Sequence, residues 1–164
     1  MKLYTVGHSN DSPEYFLELI RRKGIDAVVD VRRIPYSRHA RQFNKRTLAA
    51  FLKRHETPYI FMGDHLGGKI TDPAFLSENG RIDYGKVMRS RQFLEGICRL
   101  ENGIRKGFTI ALLCVEKNPL QCHRFFLIAR FLAQKGYEIY HIVDDRIFDH
   151  AKLEEKIRGP LFTS

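Results

Sequence analysis

The densest chemistry in this sequence lies in Cys122-His123-Arg124. At the start of a helix, free backbone N–H groups and the helix dipole favour negative charge, and an arginine adds a forked donor. The triplet therefore reads as an anion cradle in which His123 and Arg124 bind. The same setting lowers a thiol's pKa, so Cys122 is a candidate thiolate nucleophile; the alternative is a helix-start cysteine packed on a sheet. Phosphatase- and rhodanese-like loops run from a cysteine to an arginine. A loop starting from Cys114 has the wrong length, with Pro119 five residues on, and Cys122 is too close to Arg124, which excludes that chemistry.

His8 follows Gly7, a residue that lets backbone approach a ligand, and a histidine after a strand suits acid–base work; it could equally cap the next helix. Asp30 could act as a base, hold a metal, orient Arg32 or His8, or form a buried ion pair. Glu116 is a further proton carrier, and Arg32 and Arg38 are further anion binders. Cys114, Cys122, His123, His8 and His141 are suitable zinc ligands. Adjacent Cys-His rarely chelates one ion and no compact ligand pair appears, so no metal site is assigned. Cys114 and Cys122 lack CxxC spacing, which leaves a redox pair as a remote alternative. Cys98, at helical spacing from Leu94, reads as core, and His141 as a satisfied core histidine.

The charge of +9 is local. No acid stands between Asp30 and Glu56, while Arg32, Arg33, Arg38, Arg41, Lys45, Arg46, Lys53 and Arg54 all do. Removing those from the 28 basic residues leaves 20 against 19 acidic ones. A local positive field recruits phosphates. Tyr36, His39 and Phe43 interleave with the cations, the mixture that stacks bases while pairing phosphates. Arg33, Tyr36, Arg41, Phe43, Lys45 and Arg46 are thus the candidate nucleic-acid contacts. A merely solvated surface, with Tyr36 and Phe43 stapling the loop to the core, is the alternative.

These residues must be positioned by the elements around them. Lys2–Val6 reads as a strand, and Ser12-Pro13 opens a helix whose Phe16, Leu19 and Ile20 share a face. Ile25–Val31 is a continuous buried strand. Asn44 caps a helix with Leu48, Phe51 and Leu52 inward. Pro58–Met62 is a third strand, and residues 63–85, rich in Gly, Pro and Asn, form a partly ordered lid. A helix over Lys86–Arg105 turns Val87, Leu94, Ile97 and Ile104 inward and leads into the strand Phe108–Val115. A helix over Cys122–Lys135, a fifth strand over Tyr137–Val143 and an amphipathic turn near Leu153 and Ile157 follow. Alternating strands and helices predict a three-layer α/β domain: a mainly parallel sheet of about five strands, helices on both faces, and ligands at the strand carboxyl ends. There His8, Ser9, Asn10, Asp30, Arg32, Arg33, Asp64, His65, Glu116, Cys122, His123, Arg124, His141 and Asp144 converge.

The length of 164 residues predicts one domain over residues 1–164. The apolar runs are strand-length, and Met1–Val6 carries no signal-peptide core, which predicts no membrane association. Three cysteines without a disulfide pattern point to the cytoplasm.

Thr5-Val-Gly-His-Ser-Asn, Val29-Asp-Val-Arg-Arg-Ile-Pro-Tyr-Ser-Arg followed by Phe43-Asn, Leu66-Gly-Gly, and Cys114-Val-Glu-Lys with Cys122-His-Arg together resemble the family catalogued as domain of unknown function 488. The likeness runs from Met1 to about Val143. It implies a compact cytoplasmic prokaryotic α/β domain with a shared site and no established reaction. The matching positions are His8, Asp30, Arg32, Pro35, Ser37, Arg38, Cys114, Glu116, Cys122, His123 and Arg124. The leading expectation is an enzyme acting on a phosphate-bearing small molecule or nucleic acid. Arg32, Arg38 and Arg124 would bind the anion, and His8, Asp30 or Glu116 would move protons. A nucleic-acid-binding module is the competing expectation.

Overall fold

The structure, a computed structural model, describes residues 1–159. Residues 160–164 of the expected domain lie outside the described residues. A six-stranded sheet in the order β3-β2-β4-β1-β5-β6 forms the middle layer. Its strands are β1 (Lys2–Gly7), β2 (Ala27–Asp30), β3 (Tyr59–Phe61), β4 (Ile110–Cys114), β5 (Glu138–Val143) and β6 (Arg146–Asp149). All neighbouring pairs are parallel except β5–β6.

Strand alternation sorts the core into two halves. On one face Val6, Val28, Ala111 and Leu113 pack against Phe16 and Ile20 of α1 (Pro13–Arg22) and Leu48 and Leu52 of α2 (Lys45–Arg54). On the other, Leu3, Val29, Leu112 and Cys114 meet Phe93, Ile97 and Leu100 of the long helix before β4 and Leu127 and Leu132 of the helical segment after it. The chain thus leaves β2 toward one face and β4, its neighbour, toward the other. That divergence opens a crevice at the carboxyl ends of β2 and β4, the topological switch point of an open α/β sheet.

Helix α1 begins as the sequence predicts, with Ser12 Oγ accepting from Tyr15 N at 3.1 Å and Pro13 at the first position. Several other expectations need correction. The sheet has a sixth strand, because the Asp144-Asp145 turn, with Asp144 at φ 54°, folds Arg146–Asp149 back along β5. Asn44 stands at the start of α2, but its Oδ1 accepts from Ser37 N at 2.7 Å and ties down the basic loop instead of capping the helix. The 63–85 segment carries α3 (Gly63–Leu66), a turn at Pro73–Phe75 and a bridge between Leu76 and Ile82; Ile70, Phe75 and Ile82 pack on the core.

The single helix expected over Lys86–Arg105 is two: α4 (Tyr84–Met88) and α5 (Arg91–Arg105). Ser90 divides them by accepting from Phe93 N, and the inward stripe of α5 is Phe93, Ile97, Leu100 and Ile104. Leu94 and Cys98 fall off that stripe and are exposed, contrary to expectation. Beyond Cys122 the helix runs first as a π-helical stretch, Arg124–Ala129, and then as α6 (Arg130–Gln134). The last element among the described residues is a full helix, α7 (His150–Arg158), that buries His150 and Glu154 while Ile157 is exposed.

Candidate functional site at the switch-point crevice

Parallel pairing sets Gly7 of β1 beside Cys114 of β4, and Asp30 of β2 beside Leu113. The groups after β1, β2 and β4 therefore share one edge, on two sides of the sheet.

On the α1/α2 side lie His8, Asp30 and Arg32, all withdrawn from solvent. Arg32 grips Asp30 with Nε on Oδ1 at 2.9 Å and Nη2 on Oδ2 at 2.7 Å, and Tyr59 Oη donates to Oδ2 at 2.5 Å. Tyr59 is held strongly in its neutral form by burial and by the Asp30 carboxylate. Arg32 Nη1 donates to His8 Nε2 at 3.0 Å, while His8 Nδ1 donates to Ser9 O at 2.7 Å. Both nitrogens of His8 are thereby engaged. Burial and the adjacent Arg32 lower its pKa to about 4, so it is neutral at physiological pH. His8 and Asp30, read as proton carriers, sit in a saturated network. Phe43, read as a base-stacking residue, is fully buried and stacks on His8 at 4.4 Å between ring centroids, so no base can reach it.

Arg124 also differs from its expected role as an anion fork. It is fully buried beneath the loop after β4. Nε donates to Thr5 Oγ1 at 3.1 Å and Nη2 to Lys117 O at 3.0 Å, and Nη1 donates to Glu116 O. It braces that loop. Gly7 serves the same contact: a Cβ there would stand 1.8 Å from Glu116 O, so its missing side chain admits backbone and not a ligand.

On the opposite side of the sheet edge lies a crevice of about 410 Å³. Its lining includes Arg33, Tyr36, Lys69, Glu116, Cys114, Cys122 and His123, and Arg32, though almost wholly buried, also borders it. Glu116 is exposed there, and Tyr36 is 67% exposed and free to stack. Cys122 Sγ lies 2.7 Å from Cys114 Sγ, and His123 Nδ1 lies 3.6 Å from Cys122 Sγ and 3.8 Å from Cys114 Sγ. Their ligand atoms all fall within 4.8 Å of one another, which corrects the reading that these side chains form no compact set. Strand β4 ends on Cys114, and the Pro119–Gln121 turn brings Cys122 back to it in extended conformation. The hydrogen bond between the thiols holds the Cys122 pKa down to about 7 and pushes that of Cys114 up to about 12.

Arg33, Arg38, Arg41, Lys45, Arg46, Lys53 and Arg54 are exposed, whereas Arg32 is not. Arg38, Arg41 and Arg46 stand outside the crevice lining, and Lys45 Nζ lies over the Phe61 ring at 3.9 Å. Sequence reasoning missed Tyr59, Lys69 and Tyr84, and it singled out Gly68 only as part of the Leu66-Gly-Gly motif. Tyr59 had a readable signal, a hydroxyl on a strand adjacent to an acid-bearing one; the other two depend on how the 63–85 segment folds back. A second hollow, about 440 Å³, lies between β3 and α5, and its lining is mostly apolar.

A mainly parallel sheet with loop-borne polar groups gathered at a switch-point crevice defines an open-sheet α/β protein. The chain belongs to the family described as domain of unknown function DUF488, whose model matches residues 12–131. That match begins after the Thr5–Asn10 motif and stops short of Val143, so it covers less than the likeness read from the sequence. No curated protein and no solved structure matches the chain.

Proposed function

We propose that the chain is an enzyme acting on a phosphate-bearing substrate, a nucleotide or a nucleic acid, held in the crevice at the ends of β2 and β4. One observation carries this reading: the same open hollow is lined by the cations Arg33 and Lys69, the exposed ring of Tyr36, and the thiol–imidazole cluster of Cys114, Cys122 and His123. In this reading Arg33 and Lys69 take phosphate oxygens and Tyr36 stacks a base. The reacting group meets the cluster, and Glu116 exchanges a proton with it. The buried His8–Arg32–Asp30–Tyr59 network fixes the loop that carries Arg33 and Tyr36 and is a positioning element.

Binding of nucleotides and of a single-stranded oligonucleotide, followed by fluorescence anisotropy at rising salt, with product detected by mass spectrometry, tests the reading. Salt-sensitive binding weakened by Arg33→Ala and Lys69→Ala, with turnover lost in Cys122→Ser, supports it. Affinity indifferent to salt and to both substitutions overturns it.

A non-enzymatic nucleic-acid-binding module is the second reading. The exposed cations of residues 33–54 extend beyond the crevice, a footprint larger than a mononucleotide needs. Tight oligonucleotide binding without turnover selects this alternative.

A further inference from the structure

We propose that Cys114, Cys122 and His123 form the binding site of one zinc-class metal ion whose fourth position opens into the crevice. The assignment stands on the cluster alone and survives if the substrate reading fails.

The imidazole gives the first argument. His123 Nε2 lies 3.1 Å from Val31 O, and a carbonyl oxygen can only accept, so Nε2 carries the hydrogen. The lone pair is then on Nδ1, the nitrogen that faces the two sulfurs at 3.6 and 3.8 Å. A ligand histidine whose other nitrogen donates to a backbone carbonyl is the usual arrangement around protein-bound metals. Gly68 holds the ring in place: a Cβ at this position would stand 2.4 Å from His123 Cγ.

Distances give the second. Zinc bonds of about 2.3 Å to sulfur and about 2.0–2.1 Å to nitrogen place tetrahedral S and N ligands about 3.5–3.6 Å apart. The two Sγ–Nδ1 distances, 3.6 and 3.8 Å, match that edge. The thiols, 2.7 Å apart, lie closer than the corresponding S–S edge of about 3.8 Å, so they separate by about 1 Å as an ion enters between them.

The donor set gives the third. Two sulfurs and one imidazole suit zinc and its soft neighbours and disfavour magnesium and calcium, which take oxygen ligands. Among the described residues the group has three such side chains, the number that leaves a position for an exogenous ligand. That position faces a lining that also holds Glu116 and Tyr84.

The test titrates the purified full-length chain, reduced and freed of metal, with Co²⁺ and then with Zn²⁺ in competition with a chromophoric chelator. The expected result is one ion per chain, with a thiolate-to-cobalt charge-transfer band and tetrahedral d–d bands. Zinc affinity falls by at least about 100-fold in Cys122→Ser and His123→Ala and is unchanged in Cys98→Ser. Circular dichroism confirms that the variants fold, and the wild-type cobalt spectrum needs no variant. Absence of the charge-transfer band in the reduced wild type overturns the assignment. So does equal affinity in Cys98→Ser and Cys122→Ser. If the reduced chain binds no metal and the untreated chain shows a Cys114–Cys122 disulfide by intact mass, the cluster is a redox pair and the metal assignment is wrong.

Discussion

Arg32 closes over Asp30 in a two-point ion pair, 2.9 Å from Nε to Oδ1 and 2.7 Å from Nη2 to Oδ2, with both side chains almost wholly out of water. Removing one partner would leave the other charge buried and uncompensated. Asp30→Ala should therefore destabilise the fold by about 3–5 kcal/mol. Urea denaturation checks the value, and a loss below about 1 kcal/mol would mean that water reaches the guanidinium.

Stability should fall in mild acid. His8 and His141, with pKa values lowered to about 4 and about 2, and His150, also lowered, are buried as neutral imidazoles, chiefly because burial disfavours their charge. In the unfolded chain each binds a proton below about pH 6.5. The unfolded state therefore holds more protons there, and stability present above that pH is lost as pH drops toward the folded-state values. Each such group contributes a slope of up to about 1.4 kcal/mol per pH unit. Melting temperatures between about pH 7.5 and about pH 5 read this directly, and a flat profile would contradict it.

Gly68→Ala should disturb His123 in particular. The new methyl meets Cβ and Cγ of the imidazole, at 2.6 and 2.4 Å, and not the free end of a flexible chain. Overpacking of this kind costs about 1–3 kcal/mol. Ring nitrogen chemical shifts should show that the Val31 hydrogen bond is broken, and an unperturbed imidazole would count against the close fit.

Nucleic-acid affinity should follow the exposed cations. Replacing Arg38 and Arg41 with alanine should reduce the slope of log K against log salt by about 0.7 for each phosphate of a single strand that is no longer neutralised. Tyr36→Ala should cost about 1–3 kcal/mol with little change in slope, because stacking is not a counterion effect. Phe43→Leu, at a buried position, should alter stability and leave the slope unchanged. Anisotropy titrations of a labelled oligonucleotide at several salt concentrations separate these outcomes.

Much of this was legible along the chain because its causes are local. Ser12-Pro13 opens α1 as its chemistry dictates, the apolar run ending at Asp30 is a strand buried on both faces, and the alternation of elements implies a parallel sheet with its loops on one edge. The gathering of His8, Asp30, Arg32, Cys114 and Cys122 at that edge follows from strand polarity. Other features are three-dimensional. β6 exists because β5 offers an unpaired edge, a property of the assembled sheet. Leu94 and Cys98 are exposed because Ser90 resets the start of α5 and with it the phase of the inward stripe.

The sequence by itself determined on which edge of the sheet the loop-borne groups emerge, since hydrophobic periodicity and chain direction fix it. Only the tertiary structure decided which of them meet and what each meeting does. Arg124 and Arg33 are the same side chain, yet one is enclosed by Thr5 and two backbone carbonyls while the other lines an open crevice. Cys98 and Cys122 are likewise one chemical group, divided by exposure and by a second thiol at 2.7 Å. Charge, lone pairs and reactivity depend on which donors, acceptors and water molecules surround a group, and those neighbours come from strands and loops distant in sequence.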